Sequence, residues 1–176
     1  IREINAIPGD FLIRFMTSHP RDATEKLFRT MAECEKCAKH IHLPVQSGSS
    51  RVLKAMNRHY DREKYLSLVD MARSYMPDLV LTTDIIVGFP GETAEDFAET
   101  LSLVEQVRYD AMFTFIFSPR EGTPAATMPD PISREEKQVW FDQLVETANR
   151  ISGEKHQEYI GRKLRVLVDG ETGRGE

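Results

Sequence analysis

Cysteine is scarce in this chain: two residues in 176, Cys34 and Cys37. A disulfide scaffold is therefore excluded. A C-x-x-C pair can serve zinc, a redox couple or an iron–sulfur site. Structural zinc needs two more ligands at suitable spacing. His40 and His42 stand nearby, but both fall on one face of the following strand and read as structural. No strand precedes the pair to make it thioredoxin-like, so the simplest reading is two free thiols of a cytosolic protein. Long apolar runs are missing as well. Nothing approaches the ~18 residues of a membrane span, no signal peptide is visible, and no membrane partner is expected.

The usual catalytic sets are absent too. There is no Ser-His-Asp arrangement, no Walker loop and no close carboxylate pair suited to glycoside chemistry. Hard chemistry would have to come from a bound cofactor. The net charge of −5 argues against a nucleic-acid surface over the whole molecule. Local balance differs: from Arg51 to Lys64 five Lys/Arg face two acids, and Gly161–Val168 carries three bases and no acid. Solvated faces explain most such runs, although each could touch phosphate.

What the chain does have is an alternation of apolar strands and amphipathic helices, with 40% hydrophobic residues to build a core. Phe11–Met16 reads as a first strand, broken at Thr17-Ser-His-Pro20, with Asp22 as cap of a helix that buries Leu27, Phe28 and Met31. His40–Val45 is the second strand, ended by Pro44. It leads through Gln46-Ser-Gly-Ser-Ser50 to a short helix near 52–56, and a further helix opens at Asp61. Leu79–Val87 is the third strand, closed by Gly88-Phe-Pro-Gly-Glu92, after which Thr93 opens a helix carrying Phe97, Leu101 and Val104. Met112–Phe117 is the fourth. After a Pro-rich linker, Ser133-Arg-Glu-Glu136 is a capping-box signature for a helix running to about Lys155. Lys163–Val168 alternates like a strand of a different unit, which puts a boundary near residue 157.

Repeated strand–corner–helix units predict a parallel α/β fold with its chemistry at the strands' C-terminal ends. Four parallel strands cannot close a barrel, for which about eight are usual. The fold is then either a small open sheet or part of a barrel whose other strands precede Ile1. An Ile rather than Met at position 1, and an end at Gly173-Arg-Gly-Glu176 straight after a strand-like run, favour a piece of something longer. The corners present His19; Gln46, Ser47 and Ser49; Gly88 through Glu92; and Ser118, Arg120 and Glu121. They are rich in hydrogen-bonding groups and in free N–H groups at helix starts, which favour anions or ribose hydroxyls. Gly88 and Gly91 serve either tight turns or close ligand approach. Phe113, Phe115 and Phe117 read as barrel interior rather than a platform for bases.

Four segments carry a resemblance: His42-Leu-Pro-Val-Gln-Ser-Gly-Ser49, Leu53-Lys-Ala-Met-Asn-Arg58, Asp84-Ile-Ile-Val-Gly-Phe-Pro-Gly-Glu-Thr93 and Ser118-Pro-Arg-Glu-Gly-Thr-Pro-Ala-Ala126. In this order they closely resemble the radical S-adenosylmethionine methylthiotransferases. Arg14-Phe-Met-Thr-Ser-His-Pro20 is similar to the MiaB-type branch, which methylthiolates isopentenyl-modified adenosine beside the tRNA anticodon. The tail from Gly161 resembles the first strand of a TRAM domain, a small RNA-binding β-barrel. The resemblance implies an α/β fold that is a partial TIM-type radical-SAM barrel, its last four βα units in residues 1–157, with the start of TRAM in 158–176.

The resemblance also implies S-adenosylmethionine, two [4Fe–4S] clusters and a tRNA partner. The full enzyme would cleave S-adenosylmethionine to a 5′-deoxyadenosyl radical, abstract hydrogen from adenine C2 and deliver a methylthio group. The cluster-binding C-x-x-x-C-x-x-C loop is not in this sequence, and Cys34-x-x-Cys37 does not match it. No metal ligand or catalytic residue is therefore assigned, and the chain alone is expected to be inactive. By resemblance Arg58 would pair with the methionyl carboxylate, and Gln46 and Ser47 would bond cofactor polar groups. Ile86 and Gly88 would pass the adenine, with Phe117 and Ser118 beside that pocket. His19 and Arg120 would face substrate. The spacing from Gly88 to Glu92 is one residue longer than the family's common pattern. Alternative readings are a methylthiotransferase for threonylcarbamoyl-adenosine or for a ribosomal-protein aspartate, and an RNA-binding module without chemistry. Unpaired strand edges at Phe11–Met16 and Leu164–Val168 would favour self-association.

Overall fold

Val80–Val87 is the central strand, β2, and the rest of the fold is arranged on its two sides. The computed structural model describes residues 1–16, 19–164, 166 and 170. Strand β1 (His40–His42) pairs parallel to β2 with His40 opposite Val80. Strand β3 (Ala111–Ile116) pairs parallel on the other side, with Asp84 opposite Phe113 and Ile86 opposite Phe115. Alternation along β2 sends Leu81, Thr83, Ile85 and Val87 into the core, all fully buried, and Thr82, Asp84 and Ile86 to the other face. The described residues thus form an α/β unit with a three-stranded parallel sheet, which is a partial barrel.

Helices cover the outer face. These are α2 (Glu25–Glu33), α3 (Ser50–Ala55), α4 (Arg62–Tyr75), α5 (Ala94–Val107) and α6 (Arg134–Gln157), after a four-residue α1 (Arg2–Asn5) that the sequence pattern did not suggest. Helix α4 buries Tyr65, Leu68, Val69 and Ala72, and the Tyr65 hydroxyl donates to the Leu43 carbonyl at 2.8 Å. In α6, Leu144 and Ile151 are fully buried, and Trp140 stacks on Phe97 of α5 with centroids 5.2 Å apart. Thr93 with Asp96 and Ser133 with Glu136 close reciprocal capping boxes, fixing where α5 and α6 begin.

Three expectations need correction. Phe11–Met16 is not a strand: it makes one bridge, where Ile13 N–H donates to the Lys36 carbonyl and Ala38 N–H donates to the Ile13 carbonyl. Its neighbour there is the turn through Cys34–Cys37, which offers no extended ladder. Asp22 is not the cap of α2. Thr24 is, accepting from Leu27 N–H, while Asp22 lies in the preceding turn and binds Arg21. The second strand ends at His42 rather than Val45, because Pro44 brings no N–H. Thr83 splices the gap: its hydroxyl donates to the Leu43 carbonyl and accepts from Val45 N–H, both at 2.9 Å. Pairing resumes at Gln46, whose N–H and carbonyl bond Asp84 and Ile86 of β2. Half of the expected strand over Lys163–Val168, residues 165, 167 and 168, lies outside the described residues.

Candidate functional site

Where the three strands end, the inner face opens into a cleft of about 590 Å³. Gln46, Asp84 and Ile86 form its floor, Phe115, Phe117 and Ser118 one wall, Arg58 the other, and Arg120 and Thr123 the rim. A smaller hollow of about 320 Å³ shares Arg58, Ile86 and Phe117 and continues towards Met56, Phe89 and Met128. Six of the residues singled out from the sequence thus share one cleft: Gln46, Arg58, Ile86, Phe117, Ser118 and Arg120.

Local structure explains the placements. Gln46 takes φ of 73°, uncommon for a residue with a Cβ, and is held there by its two backbone bonds to β2. Arg58 follows a Schellman ending of α3: Asn57 is left-handed at φ 56°, Asn57 N–H donates to the Lys54 carbonyl, and Arg58 N–H donates to the Leu53 carbonyl. That reversal turns the guanidinium back to the cleft. Its Nε is buried with no partner, and its Nη1 lies 3.5 Å from His19 Nε2. Burial, then the charges of Arg58 and Arg21, lower the His19 pKa from its usual 6.5.

Ser47 and Gly88 sit apart from the cleft lining. Ser47 is turned towards α5, away from the cleft that Gln46 lines. It is fully buried, with its hydroxyl 3.3 Å from Thr100 Oγ1 and accepting from Ser49 N–H. Gly88 has φ of 71°, and an added Cβ would meet Lys137 Cδ at 2.5 Å. Glu92 holds this corner: its Oε2 accepts from the N–H groups of Gly88 and Phe89, while its Oε1 is buried without a partner. Burial pushes the Glu92 carboxyl up to about 7, against the pull of those two N–H groups. Asp96 is the opposite case. Burial works against its charge too, but Arg51, Ser49 and Thr93 hold it well below the usual carboxylate range.

Asp84, which had no expected site role, also lines the cleft. Its Oδ1 lies 3.3 Å from His42 Nε2, His42 Nδ1 lies 2.9 Å from Thr82 Oγ1, and His40 Nε2 follows at 3.4 Å. Thr82, Asp84 and Ile86 alternate on one face, and that period-two signal could have marked the carboxylate as cleft-facing. The histidines do share a face, as expected. Phe117 packs edge-on to Phe89 at 5.2 Å, whereas Phe113 and Phe115 stay more than half exposed on the inner face.

The site's donor set suits an anionic, part-apolar ligand. A buried orphaned guanidinium nitrogen calls for an acceptor, and Ile86, Phe115 and Phe117 offer apolar surface beside it. A nucleoside joined to a carboxylate fits that set. An iron–sulfur cluster does not: among the described residues no group of three or more His, Cys, Asp or Glu could hold a metal ion. Cys34 and Cys37 are buried free thiols, and burial pushes the Cys37 thiol up, away from the thiolate that a metal needs.

A family model described as the Radical SAM superfamily matches residues 1–104. The chain belongs to the radical SAM superfamily. Relatives include proteins named tRNA-2-methylthio-N(6)-dimethylallyladenosine synthase. That of Acetivibrio thermocellus is 52% identical over 170 residues, 97% of this chain and 35% of that protein. That of Clostridium botulinum is also 52% identical, over 97% of this chain and 38% of that protein. That of Clostridium tetani is 51% identical over 172 residues. The chain therefore spans little more than a third of the length of these curated relatives. Among solved structures, coproporphyrinogen III oxidase (HemN) from Escherichia coli, described as a radical SAM enzyme, aligns with TM-score 0.62 and 20% identity. It covers 77% of this chain and 31% of its own. At that identity the likeness is one of fold.

Proposed function

We propose that this chain is the cofactor- and substrate-facing part of a tRNA methylthiotransferase that modifies C2 of N6-dimethylallyl (isopentenyl) adenosine beside the anticodon. The observation that carries this reading is 52% identity, over 97% of the chain, to proteins named for that product. It would be the C-terminal part of a six-stranded barrel, contributing the three parallel strands β1 to β3 and their helices, followed by the start of a TRAM domain. Two [4Fe–4S] clusters belong to the reading, with ligands that are not among the described residues. A tRNA substrate puts the work in the cytoplasm.

S-adenosylmethionine, when bound, supplies radical hydrogen abstraction and a methyl group. This chain's residues bind and orient. Arg58 takes the methionyl carboxylate, where its fork suits a bidentate contact. Gln46 bonds polar groups of the cofactor from the strand end, while Ser47 acts from behind by bracing that corner against Thr100. Ile86 would face the adenine, with Phe117 and Ser118 beside it, while Gly88, outside the cleft lining, would act only through the turn that ends β2. Arg120, exposed on the rim, meets the substrate. What supports these roles is that the cleft combines an orphaned cation with apolar walls.

The test is nucleoside analysis. The full-length protein, with its clusters reconstituted, is incubated with S-adenosylmethionine, a reductant and tRNA that carries isopentenyl-adenosine but no methylthio group. The methylthio derivative of that nucleoside is expected by mass spectrometry. A methylthio group found only on threonylcarbamoyl-adenosine or on a ribosomal protein moves the chain to another branch, and no transfer at all returns it to an RNA-binding role.

A further inference from the structure

His19 and Arg58 meet donor to donor. The backbone N–H of Arg21 donates to His19 Nδ1 at 3.1 Å. A neutral imidazole has one acceptor nitrogen, so that bond leaves the ring proton on Nε2. Nε2 lies 3.5 Å from Arg58 Nη1, and a guanidinium has donors only. Protonating the ring does not resolve the clash, because Nδ1 would then lose its bond to Arg21. The same guanidinium buries Nε with no partner. Asp22, whose charge reaches His19, is bound to Arg21 at 3.3 Å instead. The Tyr60 ring stands edge-on to the imidazole at 5.8 Å and fixes its tilt. Unmet donors in a part-buried place are costly, and the missing element is an acceptor.

We propose that His19 Nε2–H and the Arg58 guanidinium hold one ligand oxyanion between them, a carboxylate or a phosphate. An oxygen about 2.8 Å from each nitrogen closes a triangle on the 3.5 Å base. Neutrality of His19 at pH 7 suits the role, since its lowered pKa keeps one nitrogen for Arg21 and one proton for the ligand. The proposal rests on the reading above only for the source of the anion. The methionyl carboxylate of S-adenosylmethionine is one source, and a backbone phosphate of the RNA is the other.

The experiment compares three ligands on the full-length protein and on His19→Leu and His19→Gln. The ligands are S-adenosylhomocysteine, 5′-methylthioadenosine (the same nucleoside without the amino-acid carboxylate) and an anticodon stem-loop RNA across a salt series. If the anion is the carboxylate, His19→Leu binds S-adenosylhomocysteine about tenfold more weakly and methylthioadenosine unchanged, and His19→Gln, which keeps an N–H, restores affinity. If it is phosphate, only RNA binding weakens, and its salt dependence becomes shallower by about one phosphate contact. Unchanged binding of all three ligands, or equal loss of both nucleosides without loss to RNA, overturns the proposal and leaves His19 a packing residue. Should the wild type bind neither nucleoside, the cofactor reading fails, while the RNA arm still decides the role of His19.

Discussion

Glu92 Oε2 accepts the N–H of Gly88 at 2.6 Å, tying the first residue of α5's lead-in to the end of β2. The carboxyl is almost wholly buried and its pKa is pushed from 4.5 up to about 7. A carboxyl whose folded pKa exceeds its unfolded one stabilises the fold fully below the unfolded value. That stability is lost as pH rises through the folded value. Unfolding free energy should therefore fall between pH 4.5 and 7 by up to roughly 3 kcal/mol from this group. Glu92→Gln keeps an acceptor for Gly88 and Phe89 and removes the titration. Urea melts at several pH values should show a flatter profile in that window, and an unchanged slope would mean Glu92 is not the group responsible.

Arg58→Ala in the cluster-loaded full-length protein should weaken S-adenosylmethionine binding by about 1.5–3 kcal/mol, the range for hydrogen bonds to a charged group. Iron content should not change, because Arg58 touches no metal-ligand set among the described residues. Calorimetry that finds equal affinity would return Arg58 to a structural role at the end of α3.

Two glycines should respond in opposite directions. A Cβ on Gly48 would lie 2.4 Å from Thr100 Cα and 2.7 Å from the Glu99 carbonyl oxygen, both backbone atoms that cannot step aside. Gly48→Ala should cost about 1–3 kcal/mol by pushing α5 away from the corner that carries Gln46. Gly153, inside α6, has nothing within 4 Å of a new Cβ. Gly153→Ala should stabilise by about 0.5–1 kcal/mol through helix propensity. Thermal melts that rank the two the other way would contradict the close packing of α5 on Gly48.

Helices α5 and α6 and strand β2 could be read from the sequence because their signals are local: the Thr93 and Ser133 caps, the strand-like run to Val87 and the spacing of Phe97 and Val104, although Leu103 rather than the expected Leu101 is the fully buried leucine of α5. Phe11–Met16 misled because its composition is strand-like while its partner is a turn, and a strand is defined by what it pairs with. The cleft was half legible. Gln46 and Ser47 look alike in sequence, yet one lines the cleft and the other braces α5 from behind. For Asp84, alternation with Thr82 and Ile86 was the one local signal, and it marks only the face; the meeting with His42 spans two strands and has no local signal.

The segment around Ile13 carries the last prediction. Leu12 is 65% and Met16 88% exposed, and Ile13 is tied to the Lys36–Ala38 turn on one side only. Along an extended segment the N–H and C=O groups alternate in direction, so those of Leu12 and Arg14 face away from that turn. They find no backbone partner among the described residues. An apolar, one-sided edge of this kind is a template for a second chain. Expressed as this 176-residue chain alone, the protein should self-associate, with a sedimentation coefficient that rises with concentration. Leu12→Lys with Met16→Lys should shift it towards monomer, because charge on an edge opposes pairing. The helices should be untouched, since neither side chain is in the core. A wild-type chain that stays monomeric at high concentration, with rapid amide exchange from Leu12 to Met16, would show that this edge recruits nothing.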